Sequence, residues 1–149
     1  MGDALSRSRF KNAVTETMRT LAEANKYFSD QAPWKLRESD PERMRTVLHV
    51  ALQLVDDGKT LLTPFLPRSS QKVYEMLGGP GAWSGTPRID EVTEDGGAPY
   101  PVITGDYRVA ARWEPAPIRP GTPLTAPTPL FAKLDPGLAD EELARLERA

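Results

Sequence analysis

Proline and glycine are distributed so unevenly along the chain that they limit where long helices can form. Of the 15 Pro and 11 Gly residues, only four Pro and two Gly precede Gly78. A proline inside a helix removes a hydrogen bond and clashes with the preceding turn, and a glycine lowers helix propensity. We therefore predict that residues 1–79 form a helical bundle and that residues 80–149 form an extended tail.

A stripe of apolar residues at steps of three to five predicts the first helix, over Asp3–Ser29. Pro33 then ends the helix, and the chain turns at a corner that carries an aromatic residue. Asn25 lies on the inward side of this helix, and we predict that it is a buried amide capping the corner. Further apolar residues flank the stripe, so the tail or another chain is expected to cover part of the bundle.

The second helix is predicted to end near Leu62, and its start has two possible caps. Either Asp40 caps it with Pro41 as the first helical residue, or Ser39 caps it with Glu42 closing a capping box. Three charged residues of this helix are assigned to its solvent side: Asp56, Asp57 and Lys59.

A third helix is predicted over Ser69–Leu77, ending at a Gly-Gly pair where a left-handed cap forms easily. Three helices with short connections indicate a mainly α fold, an antiparallel helical bundle.

The tail is predicted to contain two short regular elements. Arg88–Val92 and Tyr100–Ile103 can pair as a short hairpin through a turn that contains Gly96 and Gly97. The sequence LADEELARLERA at the end can form a short helix. Trp83 and Trp113 are expected to anchor the tail, because large aromatic side chains bury the most surface per residue.

Composition excludes several classes of function. With 19 Lys and Arg against 21 Asp and Glu, the chain carries a net charge of −2, so nucleic-acid binding through bulk charge is not expected. The chain has no Cys, so a Cys-based metal site and thiolate catalysis are excluded. It has one His, His49. No apolar stretch is long enough for a membrane span, and we expect an intracellular, cytoplasmic protein without membrane contacts.

Three segments are distinctive in combination. They are EANKYFSDQAPWKL (Glu23–Leu36), the run from Val47 to Gly78 with its FLP corner, and PTPLFAKLD (Pro127–Asp135). Together they resemble the C-terminal anticodon-binding domain and tail of the methionyl-tRNA synthetase family, in its actinobacterial form. The resemblance covers nearly the whole chain.

The resemblance implies a module that binds the CAU anticodon loop of methionine tRNAs. In this family the Trp of the Pro-Trp pair, here Trp34 after Pro33, packs against an anticodon base. Stacking of an unpaired base on an aromatic ring is worth about 1–3 kcal/mol. From their spacing we add Lys35 and Arg37 as candidate phosphate ligands. The family also uses Asn and Arg residues on an earlier helix, so residues 1–79 are expected to be a partial bundle.

The same resemblance implies that catalysis belongs elsewhere. The family's ATP-handling signatures, a HIGH-like run and a KMSKS-like loop, do not occur in this sequence. We therefore expect no aminoacylation by this chain alone and no cofactor in it, since ATP would bind an absent catalytic domain.

That catalytic domain, in cis or in trans, is an expected partner. The tail is expected to pack back on the bundle or on that domain, with Leu130, Phe131 and Leu134 as apolar anchors. The alternative function is a non-catalytic helical docking module for a protein partner.

Overall fold

The computed structural model describes residues 1–85, 87–105, 109, 111–135 and 137–146, which form a helical unit followed by an extended tail. The elements are α1 (Gly2–Ser6), α2 (Phe10–Gln31), a 3₁₀ turn (Pro33–Lys35), α3 (Pro41–Leu62), α4 (Pro67–Met76), β1 (Arg88–Val92), β2 (Tyr100–Thr104) and α5 (Leu138–Leu146). The mainly helical fold predicted from the sequence is confirmed.

The single first helix that we predicted is two helices. The chain leaves the helical conformation between α1 and α2, where Ser8 has a left-handed φ of 56°. The Ser8 N–H donates to the Leu5 carbonyl at 2.9 Å and closes α1 early. Serine competes for backbone hydrogen bonds, so a stretch with two serines is a weak point that apolar periodicity does not reveal.

The start of α3 is fixed by one of the two predicted caps. The Asp40 carboxylate accepts the Arg43 N–H at 2.9 Å, and Pro41 is the first helical residue. Ser39 instead donates its hydroxyl to the Lys35 carbonyl at 3.3 Å, so it does not cap the helix. The end of α3 at Leu62 is as predicted, whereas α4 begins at Pro67, two residues before the predicted start.

α3 packs against both α2 and α4. Ala13 and Thr17 of α2, Val47 of α3 and Leu77 after α4 are buried. Gly58 of α3 gives room for Leu21 of α2, because a Cβ there would lie 2.6 Å from Leu21 Cδ2.

Two of the three charged residues that we assigned to the solvent side of α3 are buried, so that part of the prediction is wrong. Asp56 and Lys59 are 5 % and 3 % exposed, and Lys59 Nζ lies 2.8 Å from Asp56 Oδ1. The tail brings Trp83 over this pair, with its ring centroid 3.3 Å from Lys59 Nζ. The periodicity of apolar residues indicates the face of a helix that packs against other helices. It therefore did not reveal that the tail buries another face of α3.

The tail forms the predicted hairpin and terminal helix. β1 and β2 are antiparallel, with Ile89 opposite Ile103. The Tyr100 hydroxyl donates to Glu94 at 2.7 Å, which raises the pKa of that hydroxyl. α5 ends at Leu146, and the last three residues of its predicted span lie outside the described residues.

Several tail residues hydrogen-bond to the bundle. The Gln53 amide of α3 donates to the Ala116 carbonyl and accepts the Ile118 N–H, both at 3.0 Å. The Thr125 N–H donates to the Met76 carbonyl at 3.0 Å, at the end of α4.

The expected apolar anchors differ in burial. Trp83 is 4 % exposed, whereas Trp113, Phe131 and Leu134 are 53 %, 66 % and 70 % exposed. Leu130 is half-buried. Among the described residues, no helix combines the length and apolar character that a bilayer-crossing segment needs.

Candidate nucleic-acid interface

The corner between α2 and α3 carries all four residues that the sequence singled out. Ala32 caps α2 in a left-handed conformation, with φ 41° and ψ 58°, and its N–H donates to the Phe28 carbonyl at 3.1 Å. Pro33 follows as the first residue of the 3₁₀ turn and is buried. The Lys35 N–H donates to the Ala32 carbonyl at 2.9 Å, so the backbone of the corner is fixed on both sides of Trp34.

Trp34 projects from this corner into solvent. Its side chain is 60 % exposed, and Phe28 of the last turn of α2 supports it edge-on, with ring centroids 5.9 Å apart and planes at 65°. A T-shaped contact of this kind holds an aromatic ring by its edge and leaves a face free. The corner therefore presents a flat aromatic surface on a rigid backbone.

Two cationic residues follow Trp34 closely in the sequence. Lys35 and Arg37 are both exposed, and within the part of the chain that the structure describes neither makes an ion pair. Arg43 is committed instead, because its guanidinium donates to the Gln31 side chain across the corner. Lys35 and Arg37 are thus free to contact an anion near Trp34.

Asn25 does not have the predicted role. It is exposed, and among the described residues its side chain makes no hydrogen bond, so it does not cap the corner. It lies on the rim of an apolar groove between α2 and α3. His49 of α3, the histidine noted in the sequence, is also exposed.

The groove continues from the aromatic corner along both helices. Its volume is about 470 Å³, and Phe28, which supports Trp34, forms one end of it. The remaining lining residues are Leu21, Ala24, Asn25, Leu48, Ala51, Leu52, Leu54 and Val55. Leu48 and Val55 are 39 % and 47 % exposed, so this face of the bundle is uncovered. Of the apolar residues that flank the predicted stripe, Ala24 lines the groove.

The described residues of this corner do not form a metal-binding cluster. Over the described ranges, no group of three or more His, Cys, Asp or Glu side chains is placed to hold a metal ion. The arrangement can stack on a planar group, bind a nearby anion and bury apolar surface.

Comparison with known proteins assigns the family. The family model described as the anticodon binding domain of methionyl tRNA ligase matches residues 2–92, which include the whole corner. The chain belongs to this family. Phe28, Pro33 and Trp34 are thus residues of a methionyl-tRNA ligase anticodon-binding domain.

Relatives of this anticodon-binding domain extend the match into the tail. The methionine–tRNA ligase of Thermobifida fusca is 66 % identical to this chain over all of it and over 26 % of the relative. That of Salinispora arenicola is 57 % identical over 98 % of the chain and 25 % of the relative. The chain thus spans about a quarter of the length of these curated relatives.

A solved structure agrees with the assignment. The free form of Mycobacterium tuberculosis methionyl-tRNA synthetase superposes with a TM-score of 0.53 at 30 % identity. The match covers 78 % of this chain and 19 % of that structure.

The sequence located the corner and missed what supports it. The edge-on contact of Phe28 and the link between Arg43 and Gln31 follow from how α2 and α3 pack. An aromatic residue in the last helical turn before a Pro-Trp pair was the available signal for the first of these contacts.

Proposed function

We propose that this chain contributes to recognition of the CAU anticodon of methionine tRNAs, with Trp34 stacking on an unpaired anticodon base. The observation that carries the proposal is the 60 % exposed Trp34 ring on a corner fixed by backbone hydrogen bonds and by Phe28. Unpaired loop bases present π-faces that aromatic side chains bind. Pro33 holds the backbone from which the ring projects.

Lys35 and Arg37 bind phosphate oxygens of the same loop in this proposal. Both cations lie within three residues of Trp34 and have no ion-pair partner among the described residues. Contacts of this type position the RNA without reading its sequence.

Methionine attachment and its ATP site lie, in this proposal, in the part of the ligase that this chain does not match. The sequence contains no HIGH-like run and no KMSKS-like loop. We further propose that residues 1–79 form the recognition unit, that residues 80–149 form its tail, and that the protein acts in the cytoplasm.

The test is binding of the chain to a CAU anticodon stem-loop and to a stem-loop with a changed anticodon. We expect Trp34→Ala to weaken binding to the CAU loop by about 5- to 150-fold, the equivalent of one lost stacking contact. Trp113→Ala is the matched control, because Trp113 is 53 % exposed but lies in the tail. The same loss in both variants, or equal binding of both stem-loops by the unsubstituted chain, would contradict base recognition by Trp34.

A second function, docking of the rest of the ligase, is favoured by the uncovered groove. A groove between two helices suits the apolar face of an amphipathic helix. We expect the part of the Thermobifida fusca ligase that this chain does not match to bind the chain, and Leu48→Glu to weaken that binding. Thr46→Glu adds the same charge on an exposed position of α3 outside the groove lining. Equal binding by the two variants would exclude the groove as the docking surface.

A further inference from the structure

Phe28 belongs to both of the proposed binding surfaces. Its ring meets the Trp34 ring edge-on at the corner, with the two centroids 5.9 Å apart. The same side chain lines the apolar groove between α2 and α3. One half-buried side chain therefore joins the ring proposed to stack on an anticodon base to the surface proposed to dock the rest of the ligase.

The backbone of the corner is fixed, whereas the Trp34 ring is less constrained. Hydrogen bonds of the Ala32 and Lys35 N–H groups hold the chain on both sides of Trp34. The ring itself is 60 % exposed, and among the described residues Phe28 is the aromatic residue that contacts it. A side chain that becomes immobilised on binding loses rotamer freedom, which lowers the affinity. The order of the Trp34 ring before binding therefore affects the strength of stacking.

The groove side of Phe28 borders open space. Ala24 lies one turn before Phe28 on the same face of α2, and it contributes only a methyl group to the groove lining. Leu48 on the facing helix remains 39 % exposed, and the groove has a volume of about 470 Å³. A ring that is not close-packed on one side is less restricted in its rotamer than a ring in a filled core.

We propose that Phe28 is a positioning residue that couples occupation of the groove to the order of the Trp34 ring. An apolar helix face that docks in the groove packs against Phe28, restricts its ring and thereby holds Trp34 ready to stack on a base. RNA binding then loses less side-chain entropy, so docking and RNA binding strengthen each other. This inference rests on the proposed base stacking and on the proposed docking of the rest of the ligase.

The test fills the groove from within the 149-residue chain, because a docked protein can also contact the RNA itself. Ala24→Leu adds apolar volume beside Phe28. Ala22→Leu is the matched control, since Ala22 is an exposed alanine of the same helix outside the groove lining. We expect Ala24→Leu to tighten binding to the CAU stem-loop by about two- to tenfold, the effect of ordering one side chain in advance. Ala22→Leu should leave the affinity unchanged.

NMR relaxation of the Trp34 indole N–H measures the order of the ring and requires no RNA. We expect Ala24→Leu to raise the order parameter of this indole and Phe28→Leu to lower it. The indoles of Trp83 and Trp113 should not change, which distinguishes a local support from a general loss of packing. Phe28→Tyr keeps the edge-on contact and should behave like the unsubstituted chain.

The double variant Ala24→Leu with Phe28→Leu tests whether Phe28 is the link. The effects of groove filling on Trp34 order and on stem-loop affinity should both disappear in it. Equal Trp34 order or equal stem-loop affinity in Ala24→Leu and Ala22→Leu would overturn the proposal, and so would a full effect of Ala24→Leu without Phe28. A Phe28-dependent change of ring order in chains that bind no stem-loop would support the coupling and refute base recognition by Trp34.

Discussion

At the residue scale, two tryptophans of this chain illustrate how context decides the role of one side-chain type. Trp34 follows a buried proline at a helix corner and stays 60 % exposed. Trp83 lies in a Pro/Gly-rich stretch and is 4 % exposed, with its indole N–H donating to Thr63 at 2.9 Å. Of these two rings, that of Trp34 is accessible to an external ring, whereas that of Trp83 holds the tail against the bundle.

The buried pair beneath Trp83 leads to a prediction about stability. Lys59→Met removes the cation that pairs with Asp56 Oδ1 and leaves a buried carboxylate uncompensated among the described residues. We expect the free energy of unfolding to fall by about 3–5 kcal/mol, measured by denaturant titration. The double variant Lys59→Met with Asp56→Leu should recover most of this loss, because no charge is then buried.

The control for this prediction is Lys72→Met, an exposed lysine on α4. It should change stability by no more than about 0.5 kcal/mol. A loss at Lys59 no larger than that at Lys72 would show that the pair is solvated in solution.

At the element scale, helix ends decide where the tail can pass. α4 ends at Met76, and two residues later Gly78 has a left-handed φ of +84°, where the Pro123 carbonyl approaches closely. A Cβ at this position would lie 2.5 Å from that oxygen. Gly78 is therefore needed both for the turn and for the passage of the tail over the end of α4.

Comparison of two glycine variants separates these two requirements. Gly81 also has a positive φ, +72°, but nothing lies within 4 Å of a Cβ added there. Both Gly78→Ala and Gly81→Ala carry the backbone strain of about 1–2 kcal/mol. We expect Gly78→Ala to lose at least about 1 kcal/mol more in the free energy of unfolding, because the tail must also move.

Hydrogen exchange locates the origin of that difference. The Thr125 N–H, which bonds the Met76 carbonyl at 3.0 Å, should lose protection in Gly78→Ala and keep it in Gly81→Ala. Equal stability losses and equal protection in the two variants would mean that the tail does not constrain Gly78.

At the scale of the whole molecule, charge is divided between bundle and tail. Residues 1–77 contain 12 basic and 10 acidic residues, and residues 78–149 contain 7 and 11. Neither part is expected to attract RNA through bulk charge, so the proposed binding of the anticodon loop should depend on Lys35 and Arg37.

This charge distribution predicts a weak salt dependence of RNA binding. With Lys35 and Arg37 as the two phosphate ligands, the logarithm of the binding constant should fall with the logarithm of salt concentration with a slope of about −1.4. Arg37→Gln should reduce the magnitude of that slope to about 0.7 without changing the preference for CAU. A slope several times steeper would indicate a larger basic surface and would contradict the two-ligand proposal.

The sequence by itself determined several local elements of this protein, though not the break between α1 and α2. Asp40 and Pro41 start α3 through contacts within one turn, and paired apolar residues around Gly96 and Gly97 specify the hairpin. The corner at Pro33 and Trp34 was equally visible, because proline acts on its own backbone and on the preceding residue. These features depend on neighbours in sequence, so sequence patterns reveal them.

Only the tertiary structure decided which surfaces are buried. Asp56 and Lys59 look like solvent-facing residues of an amphipathic helix until Trp83, distant in sequence, covers them. Asn25 looks like a buried cap until the groove beside it proves to be open. Burial depends on which distant segments meet, and helical periodicity records only the average direction of the core along one element.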